Sequence, residues 1–469
     1  MIRTRMAPSP TGWFHVGTAR TALFNYLFTR KNKGIFVLRI EDTDKERSEK
    51  RYEEDLISNL AWLGITWDEL YRQSERTDLY EKHIINLLTE GKAFYCAHTK
   101  EELDAEKHAQ MQDKKAPHHR CSHRDENRSE GIIRFRNDTE GNVSFDDSIR
   151  GTVTVNAAHL GDFSIAKNVK TPLFNLANVV DDVDMNITHV IRGEDHIPNT
   201  PRQILLFHAL AAKIPLYAHL PLILGTDRSK LSKRHGETSL ASYKEMGFLS
   251  EALINFMALL GWSPGNDKEL FSMDELIKEF SLEHVQKSGA IFNQDKLTWI
   301  NEEYIRALSL NDLMDRILPF LKKNMIPTND LSYTAHIVAI EQSRLKTLSD
   351  ITTESVSFFF NNPEYDFDLL PWKGQQDVHS LTENLSAVME ILHPLDDTVF
   401  SKEHLETIIM PLAKNRGIGE TLWPLRVALS GRKASPGPFE IMSVIGKKIT
   451  MQRIEYAQML IQKKLDHMQ

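Results

Sequence analysis

The sequence predicts an α/β fold: a split domain built on a parallel sheet, interrupted by an α+β insertion and followed by an all-helical C-terminal half. Three observations carry this. Strand and helix patterns alternate near the start and resume after residue 172; between them short strands mix with a charged helical piece and turn clusters; from Ser239 onward nearly every segment reads as helix. At 469 residues the chain is too long for one core. The expected domains are residues 1–90 with 172–238, then 91–171, 239–325 and 326–469.

"IRTRMA" (2–7) reads as a short strand and "TARTALFNYLFTRKNKG" as a helix closed by Gly34. "IFVLRIED" (35–42) is a second strand, with a long helix through "YEEDLISNLAWLGI" after it. "GIIRF" and "TVTVN" are the strands of the insertion. Alternation returns at "LFNLANVVDD" (173–182), "THVIRG" (188–193) and the helix "TPRQILLFHALAAK". After "HLPLILG" comes a polar loop, "TDRSKLSKRHG". No repeat or low-complexity segment stands out.

With 41% hydrophobic and 26% charged residues the chain reads as globular, and no apolar run approaches bilayer length. No apolar stretch follows a basic start, so the cytoplasm is the expected compartment and no membrane contact is expected. Two cysteines, Cys96 and Cys121, exclude a disulfide framework. The net charge of −8 argues against indiscriminate nucleic-acid binding, but it hides an asymmetry. Residues 411–469 carry 10 Lys/Arg against 4 Asp/Glu, and residues 351–410 carry 2 against 11.

The stretch "APSPTGWFHVGTARTALF" (7–24) places His15 and Gly17 at the start of a helix, where backbone N–H groups and the helix dipole favour an anion. Gly12 and Gly17 have P-loop spacing, but Thr18 and Ala19 stand where Lys and Ser/Thr are required. A dinucleotide GxGxxG is absent as well. A capped helix with a packed His15 is the plain alternative. A second basic element, "KLSKR" (230–234), weighs against it, although alone it would be a solvated loop.

Together "HVGT" (15–18) and "KLSKR" resemble the two signature motifs of class I aminoacyl-tRNA synthetases, with Thr18 replacing the second His of the first. "RMAPSPTGWFHVGTARTALFNYLF", "LRIEDTDKERS", "VVDDVDMNITHVIRGEDHIPNTPRQ", "KLSKRHG", "GWSPG" and "PLRVALSGRKASPGPFEIM" resemble, in this order, the bacterial glutamyl-tRNA synthetases. The resemblance runs from residue 3 to about 457 and implies a Rossmann-like split catalytic domain, an inserted acceptor-binding domain, a helical stem-contact domain and an all-α anticodon-binding domain.

The implied reaction joins glutamate to ATP, releasing pyrophosphate, and then passes the glutamyl group to the 2′-hydroxyl of the terminal adenosine of tRNA-Glu. Such chemistry needs positioned reactants and stabilised phosphoryl charge. His15, Gly17, Lys230 and Lys233 are the candidate catalytic residues, and Thr18, Asp195 and Leu231 join them as the expected ATP site. Lys233 is assigned to the transition state, and Mg²⁺ is expected to arrive with ATP. Family behaviour implies that activation needs bound tRNA and that the enzyme is a monomer.

Arg5, Ser9, Glu41, Asn178 and Arg192 match the family's amino-acid pocket. Arg5 and Arg192 sit in apolar strand patterns, where an unpaired guanidinium is costly and a substrate carboxylate would satisfy the fork. Internal pairing with Asp181 or Asp195 is the alternative. Phe174 departs from the family, which often carries Tyr in a "TYNLA"-like segment, so one hydroxyl toward the substrate is lost.

"CAH" (96–98) and "CSH" (121–123) supply Cys96, His98, Cys121 and His123 as a candidate tetrahedral Zn²⁺ set, with His118 and His119 as rival ligands and two reduced thiols as the alternative. Zinc-bearing relatives carry Cys-x-Cys at the first pair, and many members lack the metal. "GRKASPG" (431–437) offers phosphate neutralisation, Trp423 either stacks on a base or fills a core, and Arg344 is the candidate that separates tRNA-Glu from tRNA-Gln. The competing functions are a tRNA-Gln-charging or non-discriminating paralogue, a truncated relative that modifies a tRNA base, a catalytically silent tRNA-binding module and a free-standing nucleotidyltransferase.

Overall fold

The computed structural model describes residues 1–44, 46–114, 117–232, 238–374 and 377–467. Lys233, the expected transition-state residue, lies outside the described residues. The chain forms two compact units, Met1–Glu245 with Leu249–Ile300, and Met246–Phe248 with Asn301–Gln469.

In the first unit, β1 (Arg3–Met6), α1 (Val16–Lys31), β2 (Ile35–Ile40), α2 (Lys50–Trp62) and β3 (Glu69–Arg72) realise the expected alternation. The strands pair in parallel in the order β1-β2-β3. Burial on both faces explains the near-continuous apolar run of β2, where five of six residues are buried. Gly34 does not close α1 as expected. The helix ends at Lys31, and Lys33 takes the left-handed turn (φ 51°). Gly34 serves a close approach, because a Cβ there would stand 2.5 Å from the Ile2 carbonyl oxygen.

After α3 (Thr77–Thr89), the insertion contributes β4 (Ala93–Cys96), α4 (Lys100–Gln112), β5 (Ile132–Phe135), β6 (Asn142–Asp147), β7 (Gly151–Asn156), β8 (Ser164–Asn168) and β9 (Thr171–Pro172). β4, β5, β8 and β9 pair antiparallel. After α5 (Phe174–Asp184) come β10 (His189–Gly193), α6 (Thr200–Ala209) and β11 (Leu216–Leu220), and the β6–β7 hairpin leaves the antiparallel sheet to join the two strands in another, of order β10-β11-β6-β7. Strict alternation along β6 buries Val143, Phe145 and Asp147 and exposes the residues between. The Thr188 backbone N–H donates to the Arg3 carbonyl (3.0 Å), which sets β10 beside β1.

β12 (Ile223–Leu224) pairs in parallel with β13 (Ala290–Ile291), and α7 (Leu240–Glu245), α8 (Ser250–Leu259) and α9 (Met273–Glu279) complete this unit. α10 (Gln294–Ala307) carries the chain into the second unit, which is helical: α11 (Leu310–Lys323), α12 (Leu331–Glu341), α13 (Thr353–Phe360), α14 (Val378–Leu392), α15 (Lys402–Arg416), α16 (Ile418–Ser430) and α17 (Pro438–Asp466). Ser309, Asp330, Thr352, Asp377 and Ser401 cap five of these helices with side-chain oxygens, which satisfies otherwise orphaned N–H groups. α17 breaks at Gly446 (φ 76°). Among the described residues no helix is long and apolar enough to cross a membrane.

Candidate active site

The opening loop is pinned from three sides. The Phe14 N–H donates to Asp55 Oδ2 of α2 (2.7 Å), the Glu41 N–H to the Pro8 carbonyl (2.9 Å), and the Val16 N–H to the Thr238 carbonyl (3.0 Å). His15 also bridges Ser239, so the chain just past the basic loop is zipped onto the start of α1. His15 is the N-cap of that helix, and its Nδ1 accepts the Thr18 N–H at 3.4 Å. Gly17 permits this: a Cβ there would meet the His15 ring at 3.1 Å.

A cavity of about 610 Å³ opens at this helix end, lined by the end of β1, the start of α1 and the segment that follows β10. It gathers Arg5, Ser9, His15, Gly17, Thr18, Glu41, Phe174, Asn178, Arg192, Asp195, Lys230 and Leu231, which is every expected catalytic, amino-acid and ATP residue apart from Lys233. The volume suits a small ligand with several polar groups. Lys230 Nζ stands 3.2 Å from Asp195 Oδ2.

Two arginines of the pocket are partnered differently. Arg5 is paired internally, as the alternative allowed, but with Asp182 (3.1 Å) rather than Asp181 or Asp195. Asp181 is taken by Gln73, Arg76 and Tyr80, and Asp195 by Lys230. Burial works against the charged form of Asp182, yet Arg5 and Arg39 hold its carboxyl below the ordinary value. Arg192, almost wholly buried, donates, among the described residues, to neutral acceptors: His219 Nε2 (3.2 Å), Thr200 Oγ1 (2.8 Å) and Gln203 Oε1 (2.8 Å). Burial, with Arg5 nearby, pulls its pKa down to about 10, although Asp182 and Glu41 act the other way, and no carboxylate hydrogen-bonds it among the described residues.

Glu41 sits opposite. Its Oε1 accepts Asn178 Nδ2 (2.8 Å) and Arg39 Nη2 (3.2 Å), and burial pushes its carboxyl above the ordinary value against the pull of Arg39. Sequence reasoning missed Arg39, Asp182, His196 and His219. Arg39 is fully buried and also pairs with Asp182 (2.6 Å). An Arg inside the apolar run "IFVLRI" was the available signal. Phe174 packs on the His196 ring (centroids 5.6 Å apart), and burial with nearby Arg192 brings His196 down to about 4, neutral at pH 7.

The family pattern described as "tRNA synthetases class I (E and Q), catalytic domain" matches residues 1–299, and the "Anticodon binding domain" matches residues 312–458. The chain belongs to the class I tRNA synthetases of the glutamate and glutamine branch. It is 42% identical to the glutamate–tRNA ligase of Thermodesulfovibrio yellowstonii, over 97% of this chain and 98% of that one. Against the glutamate–tRNA ligase of Aquifex aeolicus it is 43% identical, with the same shares covered (97% and 98%). A crystal structure of a glutamate tRNA ligase from Elizabethkingia meningosepticum in complex with its amino acid superposes with a TM-score of 0.87, at 34% identity, covering 98% of this chain and 99% of that one.

Within this synthetase the insertion carries a second cluster. Cys96, His98, His119 and Cys121 bring one ligand atom each to within 4.8 Å of one another. His98 Nδ1 lies 3.4 Å from Cys96 Sγ and 3.5 Å from Cys121 Sγ, and His119 Nε2 4.0 Å from Cys96 Sγ. Tetrahedral Zn²⁺ with its usual bond lengths separates ligands by about 3.5–3.8 Å, so the donor set fits. The fourth member of this cluster is His119, one of the rival ligands, and the expected His123 is not among the four. That residue's Nδ1 accepts the Ala97 N–H (3.2 Å) and its ring stacks on His98. His119 is turned inward because its carbonyl accepts the Asp162 N–H (2.6 Å), the Cys121 N–H donates to Asp162 Oδ2 (2.9 Å), and Glu106 Oε2 holds its Nδ1 (2.5 Å).

In the helical unit, Arg344 Nη1 donates to the Ser435 carbonyl (2.8 Å), which brings "EQSRLKTL" and "GRKASPG" together. Trp423 is half-buried against Trp372 (5.3 Å) and donates its Nε1–H to the Leu369 carbonyl (2.9 Å); the Arg426 guanidinium lies 4.7 Å from its ring centre.

Proposed function

We propose that the chain is a glutamate–tRNA ligase that activates L-glutamate with ATP and transfers it to tRNA-Glu. The observation that carries the choice of amino acid is Arg192, a buried guanidinium in a small-molecule cavity whose hydrogen-bond partners among the described residues are neutral. The γ-carboxylate of glutamate supplies a charged hydrogen-bond partner for this guanidinium, which glutamine cannot do. Both side-chain hydrogen bonds of Glu41 end on Oε1, which leaves Oε2 for the α-ammonium, with Asn178 fixing the carboxylate. Ser9 and Phe174 line the rest of the amino-acid site.

ATP lies over the start of α1. The amides of Gly17 and Thr18, His15, Leu231 and Asp195 hold the nucleotide, and Lys230 with Lys233 takes the phosphates and the developing charge. Mg²⁺ comes with ATP. The α-carboxylate of glutamate attacks the α-phosphorus, and pyrophosphate leaves. Cys96, His98, His119 and Cys121 hold one zinc ion, which ties the insertion's loops together. Arg344 and the basic segment after residue 411 meet the tRNA, and the enzyme acts as a cytoplasmic monomer.

Pyrophosphate exchange into ATP tests this, run with glutamate or glutamine and with no tRNA, tRNA-Glu or tRNA-Gln. Exchange with glutamate and tRNA-Glu alone is expected. Support by tRNA-Gln as well would make the enzyme non-discriminating, and no exchange under any condition would leave a tRNA-binding module.

A further inference from the structure

Arg192 is held in place by a line of buried side chains that ends in the insertion. Asp147, the last residue of β6, takes only donors: its Oδ1 accepts the N–H groups of Ile149 (2.9 Å) and Arg150 (2.8 Å), and its Oδ2 accepts the His219 N–H (3.0 Å) and Nδ1 (2.6 Å). His219 is fully buried and Asp147 nearly so. A carboxylate at Nδ1 fixes the proton there and leaves Nε2 as an acceptor. Nε2 faces Arg192 Nε–H at 3.2 Å and Thr200 Oγ1 at 3.1 Å. A guanidinium has no acceptor, so the opposite tautomer would set two donors against each other.

The Nε and Nη2 atoms of the guanidinium are thus taken by His219, Thr200 and Gln203, and Arg192 lines the cavity. We infer that Asp147 and His219 are positioning residues for amino-acid binding: Asp147 sets the His219 tautomer, and His219 sets the orientation in which Arg192 meets the substrate carboxylate. The inference rests on the reading that Arg192 binds glutamate. It gives the β6–β7 hairpin a purpose, because the hairpin's pairing with β11 (Tyr217 opposite Asp147) delivers the carboxylate to His219. Nothing in the linear spacing of residues 147, 192 and 219 announces such a line.

The test is a set of isosteric variants in full aminoacylation. In Asp147→Asn the amide NH₂ must face donors whichever way it turns; turned to His219, it forces the proton onto Nε2, against Arg192. Glutamate KM is expected to rise roughly ten- to a hundred-fold, with ATP KM and kcat little moved. His219→Asn, which reaches Asp147 but not Arg192, should match it. His219→Gln, whose carbonyl reaches toward Arg192, should recover most of the loss. Arg192→Gln is the control for the underlying reading and should raise glutamate KM at least as much.

If Arg192→Gln leaves glutamate KM unchanged, the pocket reading fails and takes the inference with it. If Arg192→Gln raises glutamate KM while Asp147→Asn and His219→Asn do not, the inference alone fails. Equal losses toward glutamate and ATP in all three His219 and Asp147 variants, with a lowered melting temperature and no recovery in His219→Gln, would show a merely structural pair and overturn it too.

Discussion

Lys230 and Asp195 form an ion pair across the mouth of the cavity, 3.2 Å apart and both largely exposed. Asp195 thus occupies the cation that a triphosphate needs. An exposed pair contributes only about 0–1 kcal/mol, so an incoming polyphosphate displaces the carboxylate at small cost. Lys230→Ala should lower the rate of pyrophosphate exchange roughly a hundred-fold while glutamate KM moves little. A loss of the same size in glutamate KM would place Lys230 in the wrong half of the site.

Asp182 joins Arg5 and Arg39 at 3.1 and 2.6 Å, all three buried. Asp182→Asn removes the charge but not the volume: Arg5 loses its carboxylate partner, and Arg39 keeps Glu41 and Asp181. The expected loss of stability is about 3–5 kcal/mol. Chemical denaturation at pH 7 measures it. Because the folded carboxyl titrates below its ordinary value of 3.8, its contribution is complete above that pH and is lost as the pH falls through the lower folded value. A wild-type denaturation midpoint no higher than the variant's would remove this network from the account of stability.

Local patterns were legible where one face or both faces of an element were apolar. β1, α1, β2 and β10 fall where the periodicity placed them, and His15 and Lys230, from two distant motifs, line one cavity. "TVTVN" reads as a strand and is β7, but the pairing of the β6–β7 hairpin with β11 is not legible, because β11 lies about 70 residues on and no local pattern encodes a pairing across that distance. His219 was hidden for a related reason: inside "HLPLILG" it looks like the polar start of an apolar strand. Gly34 was assigned a helix-closing role that Lys33 performs. Its actual constraint, the Ile2 carbonyl, lies just before the neighbouring strand β1. Gly34→Ala should therefore cost about 1–3 kcal/mol through overpacking. A melting temperature equal to wild type would show that the β1–β2 pair yields freely.

Burial holds His219 below its ordinary 6.5 even though Asp147 pulls the other way. The unfolded chain therefore binds this proton more readily than the folded one. The stability that follows is present above pH 6.5 and is lost as the pH drops toward the folded value. The melting temperature of the wild type should fall more between pH 7 and pH 5 than that of His219→Gln, which has no imidazole to titrate. Parallel curves for the two proteins would mean that His219 accepts its proton in the folded state without cost.

His119 and His123 compete for one place beside two buried thiols. Sequence spacing favours His123, since Cys-x-His then repeats at both ends of the site; the fold favours His119, whose Nε2 faces Cys96 while Glu106 holds its other nitrogen at 2.5 Å. A carboxylate on the far nitrogen of a ligating imidazole fixes its tautomer and raises its basicity. Purified wild-type protein should contain one zinc per chain by elemental analysis. His119→Ala should lose most of it to a mild chelator and melt at a lower temperature, and Glu106→Gln should weaken zinc retention roughly ten- to a hundred-fold. His123→Ala removes a stacked ring and one hydrogen bond to Ala97, so it should keep its metal. If His123→Ala loses the metal and His119→Ala keeps it, the Cys-x-His repeat is the true ligand set and the loop must rearrange when the ion binds.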